Sequence, residues 1–465
     1  MVPNSDHVSR LVNHWMEKQN KDSIGIRELV TFFCKREGIL SHFTGTLFAN
    51  LTALFSITLY NILVARLLGP AGRGELAAIT NWAIVGSVVA NFGIPDAITY
   101  LGRRKAHDLN GMVISSIALT GMCSLLIIGI LYPTMPWLLH AQSGDIIEFA
   151  RLYLLIYLPV QCVNAIVTKI PLILDKWDEW NGLRLIVLPA FFLGIGTSYI
   201  CRKVTAAGIA FSVLAWYVII NALICVIEAR YLKSWPTLAA SRDLLKFGGP
   251  RVFGQFSSTL NLRLDQLVMA SCMPPQLLGL YAVAVVWSNI LTPLVETLSQ
   301  IVFPHVASKG GTESEKNRIC VIMRISITVT LLLTGFLLFL TPVIFPFVFG
   351  NDFEQAILPA LILVVAAGVL GFKGVAGAVL NGLGQPKYGA IAEILGFIAT
   401  GVGLAIFLPL WQITGAAIAS LLSYTIAAFY LVAVVRKQIG ASNIIHLVMI
   451  RPEDLALLRR SINNR

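Results

Sequence analysis

An arginine and an aspartate lie two residues apart inside an apolar stretch of the chain. Arg263 falls about twelve residues into a helix predicted over 251–273, near mid-membrane, where a charged side chain costs roughly 2.5–3.5 kcal/mol. Residues i and i+2 of a helix point about 200° apart, so Asp265 is not a preformed partner. A guanidinium binds two phosphate oxygens at once. We therefore expect Arg263 to bind phosphate groups of a ligand; the alternative is a structural arginine paired with an acidic residue of another helix.

Two carboxyl groups in the same half of the chain, those of Asp265 and Glu296, are candidates for ion coupling. Burial away from cations favours the protonated form of a carboxyl group, so either could take up and release a proton. Arg263 could hold Asp265 ionised, which makes Glu296 the first candidate. A structural hydrogen-bonding role is the alternative. Lys373 and Glu393 fall near predicted helix ends, where snorkelling or mutual pairing explains them as well as function does.

Polar side chains also recur on single faces of predicted apolar helices, at spacings of three, four or eleven residues. They are Asn50 and Asn61 on one helix, Gln255 and Gln266 on a second, and Asn289, Thr292, Glu296 and Gln300 on a third. Amide and hydroxyl groups both donate and accept hydrogen bonds, as sugars require. We expect these stripes to line a polar cavity. The alternative is hydrogen bonding between packed helices.

One pattern of landmarks, P-x3-G-x2-A-x4-W, occurs twice with an offset of 205 residues. The two copies are Pro70, Gly74, Ala77 and Trp82, and Pro275, Gly279, Ala282 and Trp287. A fixed offset indicates a duplicated unit. The first copy lies in and after a Gly/Pro turn over 65–74, which places Arg66 and Arg73 at the outer mouth. They could bind a phosphate there, or they could snorkel to the interface.

The composition is that of a membrane protein. Hydrophobic residues make up 56% of the chain, charged residues 13%, and the mean hydropathy is +0.77, whereas soluble chains are about 25% charged. Apolar runs of roughly 20 residues predict an all-α membrane protein with about twelve transmembrane helices. The predicted spans are 44–65, 75–98, 112–132, 149–170, 185–201, 206–228, 251–273, 279–301, 320–342, 357–380, 389–409 and 413–435.

The repeat divides these helices into two parallel six-helix lobes, related by an axis along the membrane normal. The predicted units are an amphipathic cytoplasmic extension (1–43), a first lobe (44–228), a linker (229–250), a second lobe (251–436) and a basic cytoplasmic tail (437–465). Most of the 35 Lys and Arg residues lie on one side of the predicted membrane. That side is cytoplasmic by the positive-inside rule. The net charge of +11 therefore does not indicate nucleic-acid binding.

The sequence predicts no cofactor. Its seven cysteines are scattered without C-x2-C spacing, which argues against a metal site or a disulfide framework. The Gly-x-Gly segment at 382–384 is predicted to be a turn between helices, because no strand precedes it and G-x4-G-K-[ST] is absent.

Three segments resemble the polysaccharide-export branch of the multidrug/oligosaccharidyl-lipid/polysaccharide (MOP) superfamily, and among its members the Wzx-type flippases. They are the turn over 65–74, the run Asn261-Leu-Arg-Leu-Asp-Gln-Leu with Leu278-Gly-Leu-Tyr-Ala282, and Leu380-Asn-Gly-Leu-Gly-Gln-Pro-Lys-Tyr388. The resemblance covers roughly 44–436; the N-terminal extension departs from the family pattern. The resemblance implies two six-helix lobes, a central cationic cavity and alternating access. In alternating access, residues 65–74 and 273–280 would move relative to each other.

By the same resemblance, the expected substrate is an undecaprenyl-pyrophosphate-linked oligosaccharide, carried from the cytoplasmic to the outer leaflet of the bacterial plasma membrane. Membrane lipids are expected partners, and a polysaccharide polymerase and a chain-length regulator are candidates. A cation-coupled multidrug exporter of the same superfamily is the first alternative. A membrane-embedded glycosyltransferase or polymerase is the second, although every predicted outer loop is short and leaves no room for a catalytic domain.

Overall fold

The computed structural model describes residues 37–292 and 313–440. Regular structure within them is entirely helical. The α-helices are α1 (Glu37–Asn91), α2 (Ile94–Arg103), α3 (Leu109–Leu138), α4 (Gly144–Val167), α5 (Ile170–Ile173), α6 (Trp177–Leu185), α7 (Pro189–Ile200), α8 (Ala206–Ile227), α9 (Leu238–Cys272), α10 (Pro275–Ser288), α11 (Glu313–Phe349), α12 (Ile357–Gly382) and α13 (Lys387–Ile439). Short 3-10 turns lie at Ala229–Tyr231, Asn289–Leu291 and Asn351–Ala356.

Eight helical stretches among the described residues are long and apolar enough to cross a membrane. Two of them, those containing α1 and α13, are interrupted by a kink near the middle. The α1 kink is at Gly69, whose φ of 65° suits a residue without Cβ, and it falls inside the turn predicted over 65–74. The α13 kink is at Gln412, with φ of 47°, between the two spans predicted there. The prediction of an all-helical, multi-pass membrane protein is confirmed; the count of twelve crossings stays a prediction.

Helix α9 begins earlier than the sequence indicates. The linker predicted over 229–250 is helical from Leu238 onwards. Ala240 and Leu244, one turn apart, are buried in a cluster with Ile98 of α2, and Phe247 stacks on Tyr100 with ring centroids 4.3 Å apart. This packing extends α9 to 35 residues, about 52 Å, more than a bilayer core of about 30 Å requires.

The two copies of the repeated motif pack against each other. A Cβ placed on Gly74 would lie 1.7 Å from the carbonyl oxygen of Pro275, and one placed on Gly279 would lie 1.9 Å from the carbonyl oxygen of Pro70. Both distances are far below van der Waals contact, so only glycine lets the two backbones approach this closely. The contact is reciprocal, as expected for two equivalent units related by a two-fold axis.

Hydrogen bonds between α1–α8 and α9–α13 reinforce this end of the bundle. The Gln142 side chain donates through Nε2 to the carbonyl oxygens of Ala270 (2.9 Å) and Met273 (3.0 Å), which cap the end of α9. The Ser271 hydroxyl donates to the carbonyl oxygen of Leu138 at 2.5 Å. These bonds use helix-terminal carbonyls that lack partners within their own helix. The end of the bundle that carries the Gly74–Gly279 contact is therefore closed.

Several predicted segments lie wholly or partly outside the described residues. The predicted N-terminal extension lies outside the described residues over 1–36, and its last part, 37–43, belongs to α1. The predicted tail lies outside them over 441–465. The span predicted over 279–301 is described as far as Thr292. The described part belongs to α10 and to the 3-10 turn at Asn289–Leu291. Glu296 and Gln300 are therefore outside the described residues.

Candidate substrate cavity

A cavity of about 1420 Å³ lies between the helices of the two predicted lobes. The first lobe lines it with residues of α1, α4, α7 and α8, and the second with residues of α9, α10, α12 and α13. At one end it reaches Pro386 and Gly389, beside the loop between α12 and α13. The opposite end is closed by the Gly74–Gly279 contact. A cavity of this size, open towards one side of the bundle, can hold a large polar ligand.

Arg263 of α9 faces this cavity and is positioned by an amide of the other lobe. Its Nη1 donates to Oδ1 of Asn81 at 3.2 Å, and Nδ2 of Asn81 donates to Oε1 of Gln266 at 3.2 Å. Asn81 thus uses both ends of its amide to join Arg263 and Gln266. One Arg263 nitrogen is fixed in this way, and the other guanidinium donors form no hydrogen bond to a described residue, so they can bind a ligand in the cavity.

Arg73 of α1 is the second arginine of the cavity. Its Nη2 donates to Oδ1 of Asn61 at 2.8 Å, and the Asn61 amide is itself tied to the carbonyl oxygen of Ile57 at 2.7 Å. Arg73 is 9% exposed, and its buried Nε has no hydrogen-bond partner among the described residues. Arg73 and Arg263 are like charges that line the same cavity, so they repel each other. An anion between them would relieve that repulsion.

Neither Arg73 nor Arg263 forms an ion pair within the described part of the chain. Lys373, the lysine that lines the cavity, does form one. Lys373 Nζ lies 2.6 Å from Glu393 Oε1, and both residues line the cavity. Nδ2 of Asn261 donates to Oε2 of the same glutamate at 3.3 Å. The mutual pairing weighed for Lys373 and Glu393 is therefore present, and it neutralises the lysine.

Asp265 is held by three donors at the wall of the cavity. The hydroxyls of Tyr281 (2.5 Å) and Ser420 (3.1 Å) donate to Oδ2, and the backbone N–H of Gln266 donates to Oδ1 at 2.7 Å. Asp265 is 3% exposed. Convergence of three donors suits a side chain that acts only as an acceptor. Asp265 thus fixes α9 to α10 and α13.

The structure places two of the predicted site residues away from the cavity lining. Asn50 accepts a hydrogen bond from Nη2 of Arg184 at 2.8 Å, so it joins α1 to α6. Arg66 donates through Nε to the carbonyl oxygen of Val348 at 2.7 Å and through Nη2 to that of Phe347. It therefore caps the end of α11. Neither side chain lines the cavity, because both are engaged by neighbouring helices; their role as substrate ligands stays a prediction.

The other predicted cavity residues divide into two groups. Those that line the cavity are Asn61, Arg73, Arg263, Asp265, Gln266, Asn289 and Thr292. For Gln255 only the backbone is described, as part of α9, and Glu296 lies outside the described residues. The face predicted for Asn289 and Thr292 thus does turn towards the cavity.

Sequence reasoning missed Asn81 and a group of aromatic residues. Asn81 precedes the repeat landmark Trp82, but the position 205 residues later is Val286, so Asn81 has no polar counterpart in the second half. The aromatic residues are Tyr60, Tyr153, Tyr157, Phe191 and Tyr217, all lining the cavity. Tyr153 and Tyr157 are four residues apart on α4, a spacing that periodicity could have revealed. Tyr60, Phe191 and Tyr217 come from three other helices, so periodicity within one helix gives no signal that they belong together.

The fold and the cavity define a class of protein: a multi-pass, all-helical membrane protein with a large cavity between its helices. Three solved structures share the fold at 16% sequence identity each. A structure of lipid II flippase MurJ in an inward closed conformation has a TM-score of 0.68, with 85% of this chain and 87% of that chain covered. An inward-facing multidrug resistance MATE family transporter of the MOP superfamily has a TM-score of 0.64, covering 83% and 94%. A point mutant of the Vibrio cholerae MATE transporter VcmN has a TM-score of 0.57, covering 88% and 98%.

The family follows from the sequence itself. Residues 63–358 match the family described as "Polysaccharide biosynthesis protein", and this match covers well over half of the chain. The chain belongs to that family. A search among curated proteins gave no match. The family agrees with the predicted link to polysaccharide biosynthesis, and the solved structures share the predicted fold.

Proposed function

We propose that this protein is a flippase that moves undecaprenyl-pyrophosphate-linked oligosaccharide units across the plasma membrane for surface polysaccharide biosynthesis. One observation carries the proposal: Arg73 and Arg263 converge on the same cavity from the two lobes, and neither forms an ion pair among the described residues. A pyrophosphate group carries several negative charges close together. Two guanidinium groups can each bind its oxygens through parallel hydrogen bonds.

The position of the arginines supports binding of the charged head of a lipid. A lipid-linked sugar has a tail that is stable in hydrocarbon and a head that must cross about 30 Å of it. Arg73 lies in a stretch that is long and apolar enough to cross a membrane, and Arg263 lies in α9 within the membrane span predicted over 251–273; a charge without a partner is costly at such positions. A substrate anion would compensate that cost, and the amides of Asn61, Asn81 and Gln266 hold the site in place before the substrate arrives.

The proposed direction is from the cytoplasmic to the outer leaflet. The loops on the side of residues 382–388 carry most of the lysine and arginine residues, and the positive-inside rule makes this side cytoplasmic. The cavity reaches that side at Pro386 and Gly389, whereas the end with Gly74 and Gly279 is closed. This arrangement suits loading from the cytoplasm. Transport then requires the closed end to open by alternating access between the two lobes.

Ion coupling is a further part of the proposal. Glu296 is the preferred candidate for carrying a proton, since the three donors around Asp265 give that side chain a fixed structural role. Binding and release of the driving ion would then accompany the opening and closing of the cavity.

The charge of the cavity argues against the alternatives. A binding site for cationic drugs is expected to offer a carboxylate without a partner, but the described cavity carboxylates are engaged: Asp265 by three donors and Glu393 by Lys373. Among the described residues, the cationic groups of the cavity without an ion pair are the two arginines, Arg73 and Arg263. A glycosyltransferase or polymerase would require catalytic groups in an outer segment, and the described connections at the outer end, such as 201–205 and 273–274, are short.

A deletion strain tests the proposal. Loss of the gene should abolish long-chain surface polysaccharide and cause lipid-linked units to accumulate in the inner leaflet. An Arg263→Ala variant with normal membrane abundance should fail to restore export, whereas Arg202→Ala, a change at an exposed arginine outside the cavity, should restore it. Unchanged polysaccharide together with loss of drug resistance in the deletion strain would overturn the proposal in favour of a drug exporter.

A further inference from the structure

We infer that the saccharide portion of the substrate has its own binding subsite, formed by aromatic side chains of the first lobe. We name this surface the tyrosine wall; it consists of Tyr60, Tyr153, Tyr157, Phe191 and Tyr217, together with the amide of Gln161. The inference rests on the proposed function and deepens it. The arginines would bind the pyrophosphate, and the tyrosine wall would bind the sugars attached to it.

The rings of the tyrosine wall pack in two groups, one of three tyrosines and one of Tyr60 with Phe191. The ring centroids of Tyr153 and Tyr157 are 5.3 Å apart with an interplanar angle of 19°, and those of Tyr157 and Tyr217 are 5.9 Å apart with an angle of 27°. Tyr60 packs on Phe191 with centroids 4.7 Å apart. Stacked rings hold each other in one orientation. The wall is therefore a preformed surface, and a ligand need not order it.

The polar groups of the wall are available to a ligand. Tyr217 donates its hydroxyl hydrogen to Oε1 of Gln161, which orients the amide and leaves its NH₂ group as a donor. The hydroxyls of Tyr60, Tyr153 and Tyr157 form no hydrogen bond to any described residue, although these side chains line the cavity. An unpaired hydroxyl in a membrane-embedded site is costly unless water or a ligand satisfies it. Sugars offer both donors and acceptors for such groups.

The wall is adjacent to the two arginines. Tyr60 precedes Asn61, which accepts a hydrogen bond from Arg73, and Tyr157 lines the same cavity as Arg263. A sugar linked directly to a pyrophosphate between the arginines would therefore meet the tyrosine wall. Amphipathic rings suit a sugar, whose C–H faces are apolar and whose hydroxyls are polar. The wall is neutral, so it would contribute to binding of the saccharide and not of the anion.

The second lobe provides the width that a saccharide needs. Gly371, Gly374 and Gly377 of α12 line the same cavity at intervals of three residues. Residues without side chains leave this part of the lining smooth. The two lobes therefore contribute differently: aromatic and amide side chains on the first, and small residues with the neutralised Lys373–Glu393 pair on the second.

The test compares two probes on the purified full-length protein in lipid nanodiscs. One probe is undecaprenyl pyrophosphate, which has no sugar. The other is the lipid-linked oligosaccharide fraction extracted from cells that lack this gene. Wild-type protein should bind the second probe about tenfold more tightly than the first, the difference expected for one or two added hydrogen bonds and a ring contact.

Variants of the wall should remove only the contribution of the sugar. Tyr157→Ala and Gln161→Ala should bring the two dissociation constants together while changing that for undecaprenyl pyrophosphate less than about twofold. Tyr157→Phe, which keeps the ring and loses the hydroxyl, should fall between Tyr157→Ala and the wild type. Tyr199→Ala is the matched control, because this tyrosine of the first lobe is 69% exposed outside the cavity and should change neither constant. Thermal unfolding of each variant checks that it is folded.

Other outcomes separate this inference from the proposed function. Equal affinity of the wild type for the two probes, or an equal loss of affinity for both in Tyr157→Ala and Tyr157→Phe, would overturn the sugar subsite. Undecaprenyl pyrophosphate binding that is unaffected by Arg263→Ala would instead contradict the pyrophosphate site in the proposed function. The sugar subsite is thus tested by the difference in affinity between the two probes in the Tyr157 variants. The pyrophosphate site is tested by binding of undecaprenyl pyrophosphate to Arg263→Ala.

Discussion

Gly74 and Gly279 pack against each other at the closed end of the bundle. Gly74 faces the carbonyl oxygen of Pro275, four residues before Gly279, and Gly279 faces the carbonyl oxygen of Pro70, four residues before Gly74. The proline and the glycine belong to the same motif in both halves of the chain. The duplicated motif is therefore also the surface on which its two copies pack. On the proposed mechanism, alternating access would separate this contact, because the contact closes that end of the cavity.

Enlarging either glycine should favour the open form of this end. Gly74→Ala and Gly279→Ala each place a methyl group less than 2 Å from a backbone oxygen, which the closed contact cannot accommodate. We expect lower transport, and greater labelling by a membrane-impermeant thiol reagent of a cysteine placed at Thr80, which lines the cavity. Gly121→Ala is the control, because a Cβ there meets nothing within 4 Å. Unchanged labelling in both glycine variants would contradict the closed-end assignment.

Spin labels can follow the same contact during transport. Ala71 and Gln276 are exposed positions beside the two prolines, and labels there avoid Arg73. Without substrate we expect a short, narrow distance distribution; with lipid-linked oligosaccharide a second, longer population should appear. One unchanging narrow distance in both conditions would rule out relative movement of 65–74 and 273–280.

The charge and the geometry of Arg263 should both matter. Arg263→Lys keeps the charge and loses the planar pair of donors, so it should lose much of the transport activity, and Arg263→Ala should lose nearly all of it. Arg73→Lys should behave like Arg263→Lys, since Arg73 faces the same cavity. Complementation of the deletion strain, with membrane abundance measured in parallel, provides the readout. A stable Arg263→Ala protein exporting at the wild-type rate would remove Arg263 from the site.

Asn81 should act through Arg263. Asn81→Asp keeps an acceptor 3.2 Å from the guanidinium and adds a negative charge that competes with the substrate anion. We expect it to lower affinity for undecaprenyl pyrophosphate by about tenfold or more. Asn81→Ala, which releases Arg263 without neutralising it, should have a smaller effect. The opposite order of the two variants would show that Asn81 has only a packing role.

Glu296→Gln tests the proposed ion coupling. If Glu296 carries a proton, this variant should flatten the pH dependence of transport in proteoliposomes while the protein remains folded. Asp265→Asn should retain the pH dependence and lose stability, because the amide NH₂ group cannot accept the hydrogen bonds that Tyr281 and Ser420 donate. A wild-type pH profile for Glu296→Gln would exclude it as the coupling residue.

The sequence alone determined the membrane class, the positions of most helices and the duplication, because these depend on composition, on runs of apolar residues and on a fixed offset. It also singled out Arg263, since a charge in the middle of an apolar helix is costly wherever the helix packs. The early start of α9 at Leu238 was not predicted, because Ala240 and Leu244 are held in a helix by contacts with a different part of the chain.

Only the tertiary structure decided which polar residues share the cavity. Asn50 and Asn61 lie on one helical face and look equivalent in sequence, but Arg184 engages the first and Arg73 the second, and these partners are 134 and 12 residues away. Arg66 and Arg73 flank the same turn, yet one caps α11 while the other faces the cavity. The spacing of polar residues determines which face of a helix they share. It does not determine which other helix that face contacts, because this depends on how segments far apart in sequence pack.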